Sequence, residues 1–292
     1  MQSFLDHGHA YQLYTYSPEL KVPSGVEVKN AAELFDPDAY FTYKSGRGAG
    51  SHAAFSNLFR YKLLAERGGW WVDTDVVCLT SDIPNVDEFF AYESDKIING
   101  AVLFFKQGDP LMLDCLTKAL KIGSDATWGQ IGPRLITERV IYAGRETGAQ
   151  PQFTCYPVNH HEALDLVRPT KAAFVEARTE NSFFVHFWNE IFRRARISKH
   201  MLPPSGSFLR ALVDRHSIVE WTGEYNEEAI EGIMALESAL REAQKEIRTL
   251  LKRAQKNESK LPKSRALRTS QGMHLRLFER VGALVRNLRL RH

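Results

Sequence analysis

The order of apolar and polar positions divides the chain into two kinds of sequence. Through residue 222, short apolar runs of strand length alternate with stretches at helical spacing, and beyond it the pattern is helical only. Phe4 and Leu5 read as the end of a helix, broken at His7-Gly8-His9. Residues 11–16 (YQLYTY) are rich in β-formers and predict a strand closed by Ser17-Pro18, with a weaker strand at 26–28. Residues 53–67 contain no Gly or Pro and repeat Phe55, Leu58, Phe59 and Leu63 at helical spacing. Gly68-Gly69 supplies the stop, with Arg67 in the last turn, where a cation suits the helix dipole. Trp70-Trp71-Val72 and residues 76–79 then predict a buried strand with Asp73-Thr74-Asp75 set into it.

The same reading places a turn at 79–84 and strands at 89–92, 97–105, 153–158 and 183–189. A helix spans 111–120, with Leu113, Leu116 and Leu120 on one face, and another runs from Pro133 through Val140. Strands alternating with helices predict an α/β layer fold. After residue 222 the spacing changes. Ile233, Leu236, Leu240, Ala243, Ile247, Leu250 and Ala254 follow heptad a and d positions for about three heptads. That pattern suits a coiled coil joining two copies through residues 230–257, and equally a lone amphipathic helix packed on the body. Leu261-Pro262 ends it. A second pattern at 274–292 sets Leu277, Val281, Leu284 and Leu288 apart from Arg276, Arg280 and Arg286, as in helices that lie on anionic membranes or pack on a neighbour. The expected division is 1–222, 223–262 and 263–292.

Composition changes this picture little, charge more. A chain of 292 residues, 43% hydrophobic and 25% charged, is that of a globular protein with a sizeable core. The scattered Cys78, Cys115 and Cys155 suggest buried thiols in a reducing, cytoplasmic setting, and no signal peptide or bilayer-length apolar run is expected. Residues 239–292 carry 15 Lys and Arg against 4 Asp and Glu, a net +11, leaving the body at 23 against 31, a net −8.

The candidate chemistry lies in the paired acids. On a strand, Asp73 and Asp75 point to one side and Thr74 to the other. Two like charges so close repel and lose hydration between apolar neighbours, and a divalent cation that prefers oxygen ligands offsets both costs. A bare D-x-D is more often a solvated strand end, but the valine-flanked, apolar β sequence around it argues against that here. The glycine-rich residues 43–52 (YKSGRGAGSH) lie directly ahead of the helix and could bring N–H groups to phosphate, with Lys44 and Arg47 adding charge. They lack the ending of a P-loop. His7 and His9 read as solvated turn residues.

Residues 54–79 (AFSNLFRYKLLAERGGWWVDTDVVCL) resemble the DXD-containing sugar-binding region of GT-A glycosyltransferases. The bacterial capsular-polysaccharide type is nearest, with the yeast initiating α-mannosyltransferases and the glucosylating clostridial toxins further off. The shared pattern is Ser56-Asn57-x-x-Arg60, a helix, Gly68-Gly69, an aromatic pair, then Asp73-Thr74-Asp75. Weaker echoes are Asn99-Gly100-Ala101-Val102, Gly132-Pro133 and Val185-His186-Phe187-Trp188, so the resemblance covers about residues 5–195. It implies a GT-A fold, a Rossmann-like mixed sheet that binds a nucleotide sugar. Asp73 and Asp75 would hold Mn²⁺ or Mg²⁺ against the donor diphosphate, and His186 would be the late metal or phosphate ligand, favouring Mn²⁺. Arg60 would serve the sugar or phosphate, Asn57 the sugar hydroxyls, and Asn99 would join the donor set. The implied reaction retains anomeric configuration. The implied acceptor is a surface glycan, free or lipid-linked, such as capsule or O-antigen, and no nucleic acid is expected as partner.

Two departures from that pattern matter. Many relatives carry Asp at the position of Asn57, so a charge is lost there. The chain also begins within the family's first helix, so about one β-α unit on the nucleotide side is expected to be missing. The competing readings are a haloacid-dehalogenase-type phosphatase, which also sets D-x-D after an apolar strand, and a non-enzymatic scaffold using the basic tail.

Overall fold

The computed structural model of the chain describes residues 1–46, 48–216 and 220–258. It forms two compact units that divide between Tyr225 and Asn226. The first begins with helix α1 (Gln2–Asp6), followed by strand β1 (Tyr11–Thr15), which pairs in parallel with β2 (Val26–Asn30). Two single 3₁₀ turns follow, each capped by an acceptor side chain, Asn30 on Ala32 N and Asp36 on Asp38 N. The glycine-rich loop then leads into α2 (Ala53–Arg67).

Helix α2 is the spine of the core. Ten of its fifteen residues are buried, Tyr61 and Leu64 completely, far more than one stripe of an amphipathic helix would supply. It stops because Gly68 takes φ +67°, while its N–H still bonds the Leu64 carbonyl. An added Cβ at Gly68 would also stand 2.4 Å from the Gln107 nitrogen. The chain reverses into β3 (Gly69–Val72), β4 (Val76–Cys78), β5 (Glu88–Ser94) and β6 (Ile97–Phe105). Strands β3, β6 and β5 form an antiparallel sheet in that order. Helix α3 (Pro110–Ile122) packs against α2, and α2 and α4 (Pro133–Tyr142) pack on the sheet, with Phe90 and Phe105 stacked at 5.9 Å in the shared core. Next come α5 (Ala172–Thr179) and β7 (Phe184–His186), which pairs antiparallel with β4. Helix α6 (Asn189–Arg194), the short strand β8 (Met201–Leu202), α7 (Phe208–His216) and β9 (Gly223–Glu224), parallel to β8, complete the unit. The second unit contains α8 (Glu227–Glu258), continuous over 32 residues, on which Leu236 and Leu240 are exposed.

The architecture is mixed α/β with a C-terminal helix, the class that the alternating pattern predicts. Several elements differ from the expectation. Residues 153–158 form no strand: Pro151 and Pro157 remove ladder donors, and the run is a 3₁₀ turn and irregular chain, buried from Thr154 to Val158 with Phe153 exposed. Only residues 184–186 of the run 183–189 are extended, because Trp188 adopts φ +53° and turns the chain into α6. On α3 the core takes Leu111, Met112, Cys115 and Ala119, while Leu113 and Leu120 are exposed. Both stripes are apolar, and packing against α2 selects the smaller-residue one. His7 and His9 are tied down rather than free, through Nδ1 to the Ser3 carbonyl and Nε2 to the Thr80 carbonyl. All three cysteines are buried thiols. Among the described residues no helix is long and apolar enough to cross a membrane. The amphipathic pattern at 274–292 and the break at Pro262 lie outside the described residues.

Candidate active site

The two aspartates do not lie within a strand. β3 ends at Val72, and Asp73-Thr74-Asp75 forms a tight turn, closed by Val76 N donating to the Asp73 carbonyl at 3.0 Å. Asp73 N donates to the Ala101 carbonyl of β6 at 2.8 Å, which fixes the start of the turn to the sheet. Strand alternation therefore does not align the two carboxylates; separate partners do. Asp73 Oδ1 accepts from Arg60 Nη2 at 2.5 Å and from Trp71 Nε1 at 2.7 Å. Arg60 Nη1 donates to Asn57 Oδ1 at 2.7 Å. Asn57 and Arg60 are three apart on α2 and both buried, so helical spacing turns them toward one place, as the sequence pattern requires.

Glycines make room for this pair. A Cβ at Gly100 would stand 2.3 Å from Arg60 Nη1, and one at Gly132 would stand 2.9 Å from Asn57 Nδ2. Gly100 has an ordinary backbone, so its substitution strains the guanidinium and not the strand. Gly100→Ala is expected to push Arg60 off Asp73, lowering activity about tenfold, the loss of one charge-assisted contact. Thermal unfolding should shift by only a few degrees. A variant with unchanged activity would show that the close approach at Gly100 is incidental.

Asp75 is positioned from the far end of the domain. Pairing of β4 with β7 sets Val76 opposite His186, and Phe187 N donates to the Asp75 carbonyl at 2.9 Å. Asp75 Oδ1 lies 3.2 Å from His186 Nε2, and Oδ2 accepts from Asn189 N at 2.8 Å, at the start of α6. Burial pushes the Asp75 carboxyl up, but the His186 ring and the Asn189 N–H outweigh it and hold the group well below the usual carboxylate range. Burial lowers His186, and the neighbouring Asp75 carboxylate more than reverses this, so the imidazole is raised above its ordinary range. His186 Nδ1 is buried with no hydrogen-bond partner among the described residues, and the ring packs 4.3 Å from that of Trp188. One ligand atom each from Asp73, Asp75 and His186 lie within 4.8 Å of one another. Two carboxylates and an imidazole fit Mn²⁺ well, and Mg²⁺ less so because of the nitrogen.

These groups border a cavity of about 1630 Å³. Tyr11 and Glu93 border it too, and neither is marked by the sequence pattern. Burial, then the charges of Asp73 and Asp75, push the Tyr11 hydroxyl up to about 12. Asn99 is in place, but its amide works internally: Oδ1 accepts from Ala101 N at 2.7 Å and Nδ2 donates to Glu93 Oε2 at 2.5 Å. Lys44 pairs with Asp125 at 2.7 Å, and Arg47 lies outside the described residues. The glycine-rich loop is pinned instead by Trp128, whose ring leaves no room for a Cβ at Gly48, where φ is +88°. On the Trp128 ring lies the Arg194 guanidinium, 5.3 Å from its centroid.

No family model matches the chain, and no solved structure does. Among curated proteins it is 27% identical over 150 residues to a lactosylceramide 4-alpha-galactosyltransferase from Mus musculus, covering 46% of this chain and 40% of that one. It is 24% identical over 147 residues to the protein of the same name from Pongo pygmaeus, covering 46% and 66%. An uncharacterized Arabidopsis thaliana protein is 23% identical over 184 residues, covering 56% and 28%. The chain thus matches between 28% and 66% of the length of these relatives. The likeness points to glycosyl transfer, and the mixed α/β fold with its C-terminal helix agrees with a GT-A-like domain.

Proposed function

We propose that the chain is a metal-dependent glycosyltransferase that moves a sugar from a nucleoside-diphosphate donor to a glycan, free or lipid-linked. The observation that carries this reading is the convergence of Asp73, Asp75 and His186 within 4.8 Å beside a cavity large enough for a nucleotide sugar. In this reading those three side chains hold Mn²⁺, or Mg²⁺. The ion, when bound, neutralises charge on the departing diphosphate. Arg60 orients Asp73 and sets a fixed cation beside it, so negative charge that develops there meets a preorganised partner. Asn57 holds the guanidinium in that orientation.

The proposed reaction retains anomeric configuration, with the acceptor hydroxyl activated by the leaving phosphate. The names of the relatives make a galactosyl donor and a lactose-containing glycolipid the first probes, and a surface polysaccharide the next. Two further parts of the reading concern the second unit. The exposed Leu236 and Leu240 of α8 support pairing of two copies through residues 230–257, and the basic residues 263–292 would contact the inner face of a membrane from the cytoplasm.

The test is incubation with Mn²⁺ and a panel of nucleotide sugars, UDP-galactose first, with lactose or lactosylceramide as acceptor. Slow donor hydrolysis or transfer is expected, lost in EDTA and restored by Mn²⁺. Turnover of simple phosphate esters with inertness toward every nucleotide sugar would overturn the reading in favour of a phosphatase. An inverted anomer in fresh product, seen by NMR, would sink the retaining mechanism alone.

A further inference from the structure

We propose that Glu93 reads the hydroxyls of the transferred sugar and so determines which sugar is accepted; this rests on the donor reading above. The first observation is how the backbone presents it. Strands β5 and β6 pair in register from Glu88 opposite Phe105 to Phe90 opposite Leu103, then jump to Ala91 opposite Asn99 and Tyr92 opposite Ile98. Ser94 is opposite Ile97, which leaves Glu93 with no cross-strand partner. It is a bulged residue, and a bulge re-aims a side chain that regular alternation would send elsewhere. Here the side chain borders the cavity that Asp73, Asp75 and His186 also border.

The second observation is how firmly the carboxylate is held. Asn99 Nδ2 donates to Oε2 at 2.5 Å, and Asn99 is itself fixed by Ala101 N at 2.7 Å. The Ala101 carbonyl accepts from Asp73 N at 2.8 Å. Glu93 is thereby tied through three bonds to the turn that carries the acids. Its other oxygen, Oε1, has no hydrogen-bond partner among the described residues. Burial pushes the carboxyl above its usual range, against the pull of Asn99 and His186, as expected for an acid whose solvation is only partly replaced.

The chemistry of the missing partner follows by exclusion. Glu93 does not belong to the group of acids and imidazole that converge on a common point, which among the described residues is Asp73, Asp75 and His186. A phosphate would face a carboxylate and be repelled. A neutral group rich in hydroxyl donors suits a fixed carboxylate with one oxygen free to accept, and we assign it to the transferred sugar, which carries more hydroxyls than the ribose. Asn99 is then a positioning residue, acting through Glu93 and Ala101, which explains why its own amide is not free.

The discriminating experiment compares free nucleoside diphosphates with their sugar forms. With Mn²⁺ present, UDP, GDP, UDP-galactose, UDP-glucose, UDP-N-acetylglucosamine and GDP-mannose are titrated calorimetrically into the full chain and into Glu93→Gln. Glutamine keeps the bond to Asn99 but turns an amide donor toward the hydroxyls. The free diphosphate should bind both proteins equally, and the preferred sugar form should weaken about ten- to a hundredfold in the variant, as for one charge-assisted hydrogen bond. Wild-type protein and singly deoxygenated analogues of that sugar supply the second arm. One analogue should lose affinity for wild type yet lose nothing further in Glu93→Gln. Equal weakening of diphosphate and sugar form, or no weakening of either, overturns the role of Glu93 while the donor reading stands. Failure of wild type to bind any diphosphate or sugar form overturns the donor reading and this inference with it.

Discussion

Asp75→Asn is expected to lower glycosyl transfer by about a thousandfold, ~4 kcal/mol of transition-state stabilisation. Asparagine keeps the size of the side chain and an oxygen to accept from Asn189 N, so the turn should stay folded. What it loses is the charge that faces His186 and that the proposed metal ion would require. Two measurements separate the consequences. Calorimetric titration with Mn²⁺ should show binding weakened severalfold or more, and donor hydrolysis should fall even at saturating Mn²⁺. Removing the carboxylate also leaves His186 without its partner while burial still disfavours the charged ring, so the imidazole should titrate lower in the variant, which NMR reads directly. A variant with wild-type activity would remove Asp75 from the site and leave the convergence of acids and imidazole without a function.

Arg60→Met has the next largest expected effect, and it falls on stability as well as activity. Arg60 is 4% exposed and joins Asp73 to Asn57 through its two terminal nitrogens. Methionine fills most of the space but leaves Asp73 with Trp71 Nε1 alone and Asn57 Oδ1 without a donor. Breaking a fully buried pair costs about 3–5 kcal/mol, and because the Asp73 side chain is 26% exposed, about 2–3 kcal/mol is expected here. Chemical denaturation should show that loss at an unchanged slope. Arg60→Lys should restore little, because an ammonium cannot reach two acceptors with the planar fork that serves both. Added Mn²⁺ should stabilise Arg60→Met more than wild type, since an ion beside Asp73 supplies the charge that the guanidinium gave. Equal stabilisation of both proteins would separate Arg60 from the metal site.

How much of this was legible in the sequence depends on the range of the interaction. The helix over residues 53–67, its glycine stop and the Asn57–Arg60 face were readable because helical periodicity and a left-handed glycine are local properties. The strands at 11–15, 88–94 and 97–105 were readable for the same reason. The run 153–158 has the apolar content of a strand, but Pro151 and Pro157 deny it ladder donors. The choice of face on α3 could not be read at all, since two apolar stripes compete and only the partner helix decides. Helices α5, α6 and α7 were not anticipated, being short and stabilised by packing more than by propensity.

The acids show the division most clearly. By itself, the sequence determined that Asp73 and Asp75 stand together after a helix carrying Asn57 and Arg60, because these residues are near neighbours along the chain. It also marked His186 through a family resemblance. Only the tertiary structure decided that the aspartates form a turn and not a strand, since that depends on Ala101 of β6 capturing Asp73 N. Only the pairing of β4 with β7 sets His186 against Asp75, and only a bulge in β5 turns Glu93 toward the same cavity. The physical reason is that backbone hydrogen bonds between distant segments fix these directions, and no local pattern of side chains records which distant segment will be the partner.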